Sequence, residues 1–90
     1  MRIKDGFVLR DVMDEYIVMP AGAQMKEFEG VVVLNEPSAF LWKKMQSDVT
    51  RQELVEALLE EYDIDSAVAE KDTEELLKKL DMYGVLEGMK

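Results

Sequence analysis

Val31-Val32-Val33-Leu34-Asn35-Glu36-Pro37 divides the 90-residue chain into two kinds of sequence. Four uncharged aliphatic residues, three of them β-branched, read as a strand. Asn35 then offers a side-chain acceptor to the first turn of a helix, and Pro37 falls in that turn, where no intrahelical N–H bond is lost. Strand signals lie before this seam and helix signals after it.

Upstream, Gly6-Phe7-Val8-Leu9-Arg10 and Glu15-Tyr16-Ile17-Val18-Met19 are short segments rich in β-branched and aromatic residues, separated by the polar stretch from Asp11 to Asp14. They predict a hairpin. Pro20, Gly22 and Gly30 punctuate the way to the third strand, Val31 to Leu34, so the first third of the chain predicts a three-stranded antiparallel meander.

Downstream, a first helix is expected from about Glu36 to Gln46, with Leu41, Trp42 and Met45 inward, Phe40 flanking and Trp42 anchoring the core. Thr50-Arg51-Gln52-Glu53 has the form of a capping box and starts a second helix. Its apolar set is Leu54, Val55, Leu58, Leu59 and Tyr62, leaving Glu53, Glu56, Glu60 and Glu61 outward. Asp65 caps a third helix, with Ile64 as a hydrophobic staple and Val68, Leu76, Leu77, Leu80 and Tyr83 as the inward stripe. Gly84 ends that helix, Val85 and Leu86 fold back on its last turn, and Met89 and Lys90 fray. The expected order is βββααα: an α+β domain spanning residues 1 to 90, with three helices clustered as in a helix-turn-helix beside a three-stranded sheet.

The composition excludes much chemistry. With no cysteine and no histidine, the chain lacks thiolates, disulfides, the usual zinc ligands and the commonest general base. Its glycines, at 6, 22, 30, 84 and 88, do not cluster into a phosphate-cradling loop. The acidic stretch Asp63-Ile64-Asp65-Ser66 lacks the central glycine of a calcium loop, and nothing singles out a catalytic carboxylate pair. The expectation is no catalytic residue, no metal and no cofactor. No apolar run approaches the roughly 20 residues of a membrane span, and the start Met1-Arg2-Ile3-Lys4-Asp5 lacks the apolar core of a signal peptide, so a cytoplasmic protein is expected.

Net charge is −9, and the half beyond residue 45 holds thirteen acidic residues against five basic. Such a field repels nucleic acid and anionic membranes. A DNA-reading third helix is disfavoured in particular, because Glu70, Asp72, Glu74, Glu75 and Asp81 outnumber Lys71, Lys78 and Lys79 there. A winged-helix transcriptional regulator is accordingly the weakest reading.

In a meander the third strand is an edge, and natural edges are guarded by charge, proline or a bulge. Val31 to Leu34 carries none of these. One reading is strand addition, in which a partner peptide takes the free main-chain groups. Alternatively the edge is covered by the third helix or the loop from Ala21 to Glu29, or pairs with a second copy to make a homodimer, a self-associating structural module.

Phe7-x-Leu9-Arg10, Tyr16-x-Val18-x-Pro20, Leu34-Asn35, Leu41-Trp42, Thr50-x-x-Glu53-Leu54, Tyr62, Asp72 and Leu76-Leu77-x-x-Leu80-x-x-x-Gly84-Val85-Leu86 together resemble the PqqD family, from about Gly6 to Glu87. The resemblance implies a winged-helix-like domain that binds the leader segment of a ribosomally made precursor peptide and delivers it, uncatalysed, to a modifying enzyme, commonly a radical SAM protein. In that family the leader pairs with the third strand beside the last helix. Carried over, the implied contacts are Val31, Val32, Val33 and Leu34, with Asp72, Glu75, Leu76 and Lys79 on the helix. Two positions depart from the pattern: Asp14-Glu15 stands where a glycine is common before Tyr16, and Thr73 where an aliphatic residue is common. They put in doubt that the peptide is the precursor of the quinone cofactor itself.

Overall fold

The computed structural model describes residues 1–21 and 32–88. In chain order its elements are β1 (Arg2–Ile3), β2 (Phe7–Val12), β3 (Glu15–Pro20), β4 (Val32–Leu34), α1 (Glu36–Lys44), α2 (Arg51–Glu61), α3 (Ser66–Met82) and β5 (Leu86–Glu87). Strands β2, β3 and β4 form an antiparallel sheet in that order, followed by three helices, the α+β arrangement expected from the sequence. Val31, Gly22, Gly30 and nearly all of the expected 21–29 loop lie outside the described residues, as do Met89 and Lys90.

Local chemistry sets the helix starts. The Asn35 side chain accepts from the Ser38 amide at 2.9 Å. At α2 the box closes in both directions, Glu53 N–H to Thr50 Oγ1 at 3.1 Å and Thr50 N–H to Glu53 Oε1 at 3.0 Å. Asp65 accepts from the Val68 amide at 2.9 Å. Each satisfies a donor that the first helical turn leaves unpaired. The end of α3 is equally local: Gly84 takes the left-handed φ of 71°, its amide reaches Asp81 O, and the Val85 amide reaches Leu80 O, both at 3.0 Å. These are the paired bonds of a Schellman stop.

Several expectations need correction. The hairpin connection is shorter than the Asp11–Asp14 stretch: strand pairing runs to Val12↔Glu15, leaving a two-residue turn of Met13 and Asp14. Both have positive φ, 52° and 68°, the conformation whose twist matches the flanking strands. Helix α1 ends at Lys44, and Gln46 lies past it, its side-chain amide donating to Trp42 O at 3.0 Å. Leu59, Val68 and Tyr83 are exposed rather than inward. Adjacent helical residues stand about 100° apart, so Leu59 and Val68 are carried round from buried Leu58 and Ala69, while Tyr83 is the C-cap of α3. Thr73 is fully buried in place of an aliphatic residue; its hydroxyl donates to Ala69 O at 2.8 Å, so it enters the core without an orphaned polar atom.

The chain also has a second, two-stranded sheet with no counterpart in the sequence reading. Strand β1 pairs antiparallel with β5, Ile3 opposite Leu86 and Arg2 opposite Glu87. Val85 and Leu86 therefore do more than fold over the last turn of α3: Val85 is buried and Leu86 joins the ribbon. One core holds both sheets to the helices, with Val18, Val32 and Leu34 from the larger sheet, Ile3 from the smaller, and Leu41, Trp42, Met45, Leu58 and Leu80 from the helices. Its arrangement fixes which side of β4 is left facing α3.

Candidate functional site

Strand β4 pairs with β3 through Tyr16↔Leu34, Ile17↔Val33 and Val18↔Val32, and ends the sheet among the described residues. Strand alternation turns Val32 and Leu34 into the core and leaves Val33 44% exposed. Helix α3 passes beside this edge, and between them lies an open groove of about 380 Å³. Val33 and Leu34 form one wall, with Asn35 and Ser38 at the start of α1 beside them. The facing wall is α3, through Asp72, Glu75, Leu76 and Lys79. Those four share a helix face because they are spaced by three, four and seven residues.

The side chains differ in role. Leu76 is 3% exposed, so it serves the core and the groove floor at once. Asp72 and Lys79 are half-buried and Glu75 is exposed, placing two carboxylates and one ammonium along the helix wall. The Asn35 carboxamide oxygen is committed to the Ser38 amide.

Among the described residues one hydrogen bond crosses the groove: Lys79 Nζ donates to Val33 O at 2.9 Å. The Val33 carbonyl is thus turned out of the sheet toward α3. In an antiparallel ladder, opposed residues alternate between exchanging both main-chain bonds and exchanging neither, so the Val33 amide leaves the strand on the same outward side as its carbonyl. Val32 and Leu34, one residue to either side, direct their main-chain groups toward β3. The edge read from the sequence as lacking charge is in fact met by a charge from another element.

Of the eight candidate residues, six line this groove: Val33, Leu34, Asp72, Glu75, Leu76 and Lys79. Val32 belongs to the strand, but its side chain is buried on the core side. Val31 lies outside the described residues. Sequence reasoning assigned Asn35 to the helix cap alone; the immediate succession of strand, cap and helix is the signal that α1 begins at the end of the groove. Among the described residues, no three acidic side chains gather as a metal site, and no helix is long and apolar enough to cross a membrane.

No curated protein sequence matches the chain. Two solved structures share its fold. TbiB1 in complex with the TbiA(beta) leader peptide superposes with a TM-score of 0.78 at 23% identity, over 100% of this chain and 99% of that one. A lasso peptide synthetase B1 complexed with the leader peptide gives 0.71 at 15% identity, over 93% of each. The family of coenzyme PQQ synthesis protein D matches residues 15–86, a span that runs from the start of β3 through all three helices into β5. With most of its length inside that match, the chain belongs to the PqqD family.

Proposed function

We propose that this chain is a non-catalytic recognition domain, acting in the cytoplasm, that captures the leader segment of a ribosomally synthesised precursor peptide as an added strand on β4. The observation that carries this reading is the outward-turned main chain of Val33, set in a groove whose other wall is α3. A peptide lying there takes its affinity from main-chain bonds to Val33 and its register from alternate side chains seated over Leu76 and along the α3 wall. Support comes from the two structural neighbours, each of which is complexed with a leader peptide. The bound leader then raises the effective concentration of the attached precursor at a modifying enzyme, of the radical SAM class or another. No cofactor is needed for that task.

The test is fluorescence anisotropy with a panel of labelled synthetic leader peptides, including the leader of any short precursor found encoded near the gene, against wild type and Val33→Pro. Proline removes the outward donor and leaves the β3–β4 bonds of Val32 and Leu34 in place. The expected result is saturable binding to wild type and about tenfold weaker binding to the variant, with the helical circular dichroism retained. Equal binding to both proteins would place the peptide elsewhere. A dimer that persists on dilution and resists added peptide would instead favour pairing of β4 with a second copy.

A further inference from the structure

We propose that Lys79 is a displaceable guard on the β4 edge, holding the Val33 carbonyl until an incoming strand supplies its own amide. The inference rests on the strand-addition reading for its peptide arm, and on the groove geometry alone for its second arm.

The choice of partner made by Lys79 is the evidence. Glu75 lies one helical turn before it, in the order that favours an i,i+4 ion pair. Yet the ammonium crosses the groove to a neutral backbone oxygen, with Nζ 2.9 Å from Val33 O. Among the described residues no ion pair joins Lys79 to Asp72 or Glu75, whereas Arg51 pairs with Glu74 at 2.8 Å and Arg2 with Asp5 at 3.2 Å. Lys79 is also the one described lysine whose side-chain ammonium donates to a backbone carbonyl.

The consequence is an exchange of hydrogen bonds. A peptide strand brings an N–H to Val33 O and a carbonyl to Val33 N–H; Lys79 gives up the oxygen and folds back toward Glu75. The guard thereby sets a threshold. A segment that cannot make several main-chain bonds along the groove does not repay displacement of the ammonium, and the edge stays closed to chance pairing with another copy of the chain. Lysine suits this task, because its flexible stem lets the charge move within the groove while the methylenes stay on the helix surface.

The experiment compares wild type, Lys79→Met and Lys79→Arg, each checked for an unchanged thermal melt. Methionine keeps a long unbranched side chain and removes the ammonium. Leader-peptide affinity is expected to rise about three- to fivefold in Lys79→Met, the value of an exposed charge-assisted bond no longer displaced, and to stay within about twofold of wild type in Lys79→Arg. Glu75→Gln should weaken binding about twofold in wild type and not at all in Lys79→Met, since its role runs through the released lysine. Unchanged or weaker binding in Lys79→Met overturns the proposal, because the ammonium would then be idle or a direct peptide contact. Sedimentation velocity on the full chains without peptide supplies the arm that does not depend on the function. If no leader binds even wild type, the recognition reading falls, and the guard is judged here alone. More dimer in Lys79→Met than in wild type sustains it, and equal monomers overturn it.

Discussion

Two short strands, β1 and β4, lie at the margins of this molecule, and they are finished in opposite ways. Strand β1 is stitched on both sides by main chain. It pairs with β5, the Lys4 amide donates to Val85 O at 2.8 Å, the Ile3 amide to Met45 O at 2.9 Å, and the Val49 amide to Met1 O at 2.9 Å. Strand β4 has main-chain pairing to β3, and among the described residues its far side is met by one lysine side chain. A strand held by backbone on both sides opens only if the fold opens, whereas a side-chain bond on a half-exposed lysine exchanges without unfolding anything. The difference separates an edge that serves stability from one suited to receive a segment.

The largest effect should come from attacking the stitched side. Ile3 is 3% exposed and packs in the shared core, so Ile3→Ala is expected to lower unfolding free energy by about 2 to 5 kcal/mol. Urea denaturation measures this. Peptide affinity of the folded protein should not change, because Ile3 contributes nothing to the groove; a parallel loss of affinity would erase the distinction between the two margins. The complementary change is Val33→Pro, where the ranking reverses. Its unfolding free energy should change by less than about 1 kcal/mol, as befits a half-exposed edge residue, while peptide affinity falls about tenfold.

A smaller effect sharpens the comparison from behind β4. Met13 and Asp14 both sit at positive φ in the β2–β3 turn, a conformation that costs residues with a Cβ free energy and that Asn-Gly adopts readily. Replacing the pair, Met13→Asn with Asp14→Gly, should stabilise the protein by about 1 kcal/mol in the same urea assay. Because neither turn residue lines the groove, peptide affinity should stay as it is.

These contrasts also explain what could be read in the sequence. The helix limits were legible at Asn35, Thr50, Glu53, Asp65 and Gly84 because capping is local chemistry, settled within a few residues of chain. The meander and its edge strand were legible because β-branched runs alternate with turn residues. Strands β1 and β5 were not: two residues have no periodicity, and Ile3 and Leu86 meet only once the helices between them have packed. The positive-φ turn was hidden because Met13 and Asp14 carry no glycine or asparagine to announce it. Over-wide stripes misplaced Leu59 and Val68, since apolar residues one step off a buried row need not be buried. For the groove, the helix residues were named through a family resemblance and the strand through its lack of guarding. Neither reveals Lys79 on Val33 O, a contact across 46 residues of chain that depends on the exact seating of α3 against the sheet.

The smallest expected effect is a pH dependence confined to the stitched margin. The amino terminus of Met1 donates to the Asp48 carboxylate and to Val49 O, tying the start of β1 to the α1–α2 connection. The hydrogen bond and charge of that ammonium, with a minor contribution from Arg2, hold the Asp48 carboxyl below its ordinary 3.8. A carboxylate with a depressed folded-state pKa adds stability above its unfolded value and loses it as pH falls through the folded value. The contribution should therefore be complete at neutral pH and fade from about pH 4 downward. Asp48 is largely exposed, so the pairing is screened by water and salt and its effect stays small. Comparing wild type with Asp48→Asn in urea melts across this range should show the two curves converging in acid, and added salt should narrow the gap at neutral pH. Val33 and Lys79 play no part in that pairing, so Lys79→Met should leave the pH-dependent difference intact; if it removed it, the two margins would be coupled and the stitched edge would no longer be independent of the guarded one.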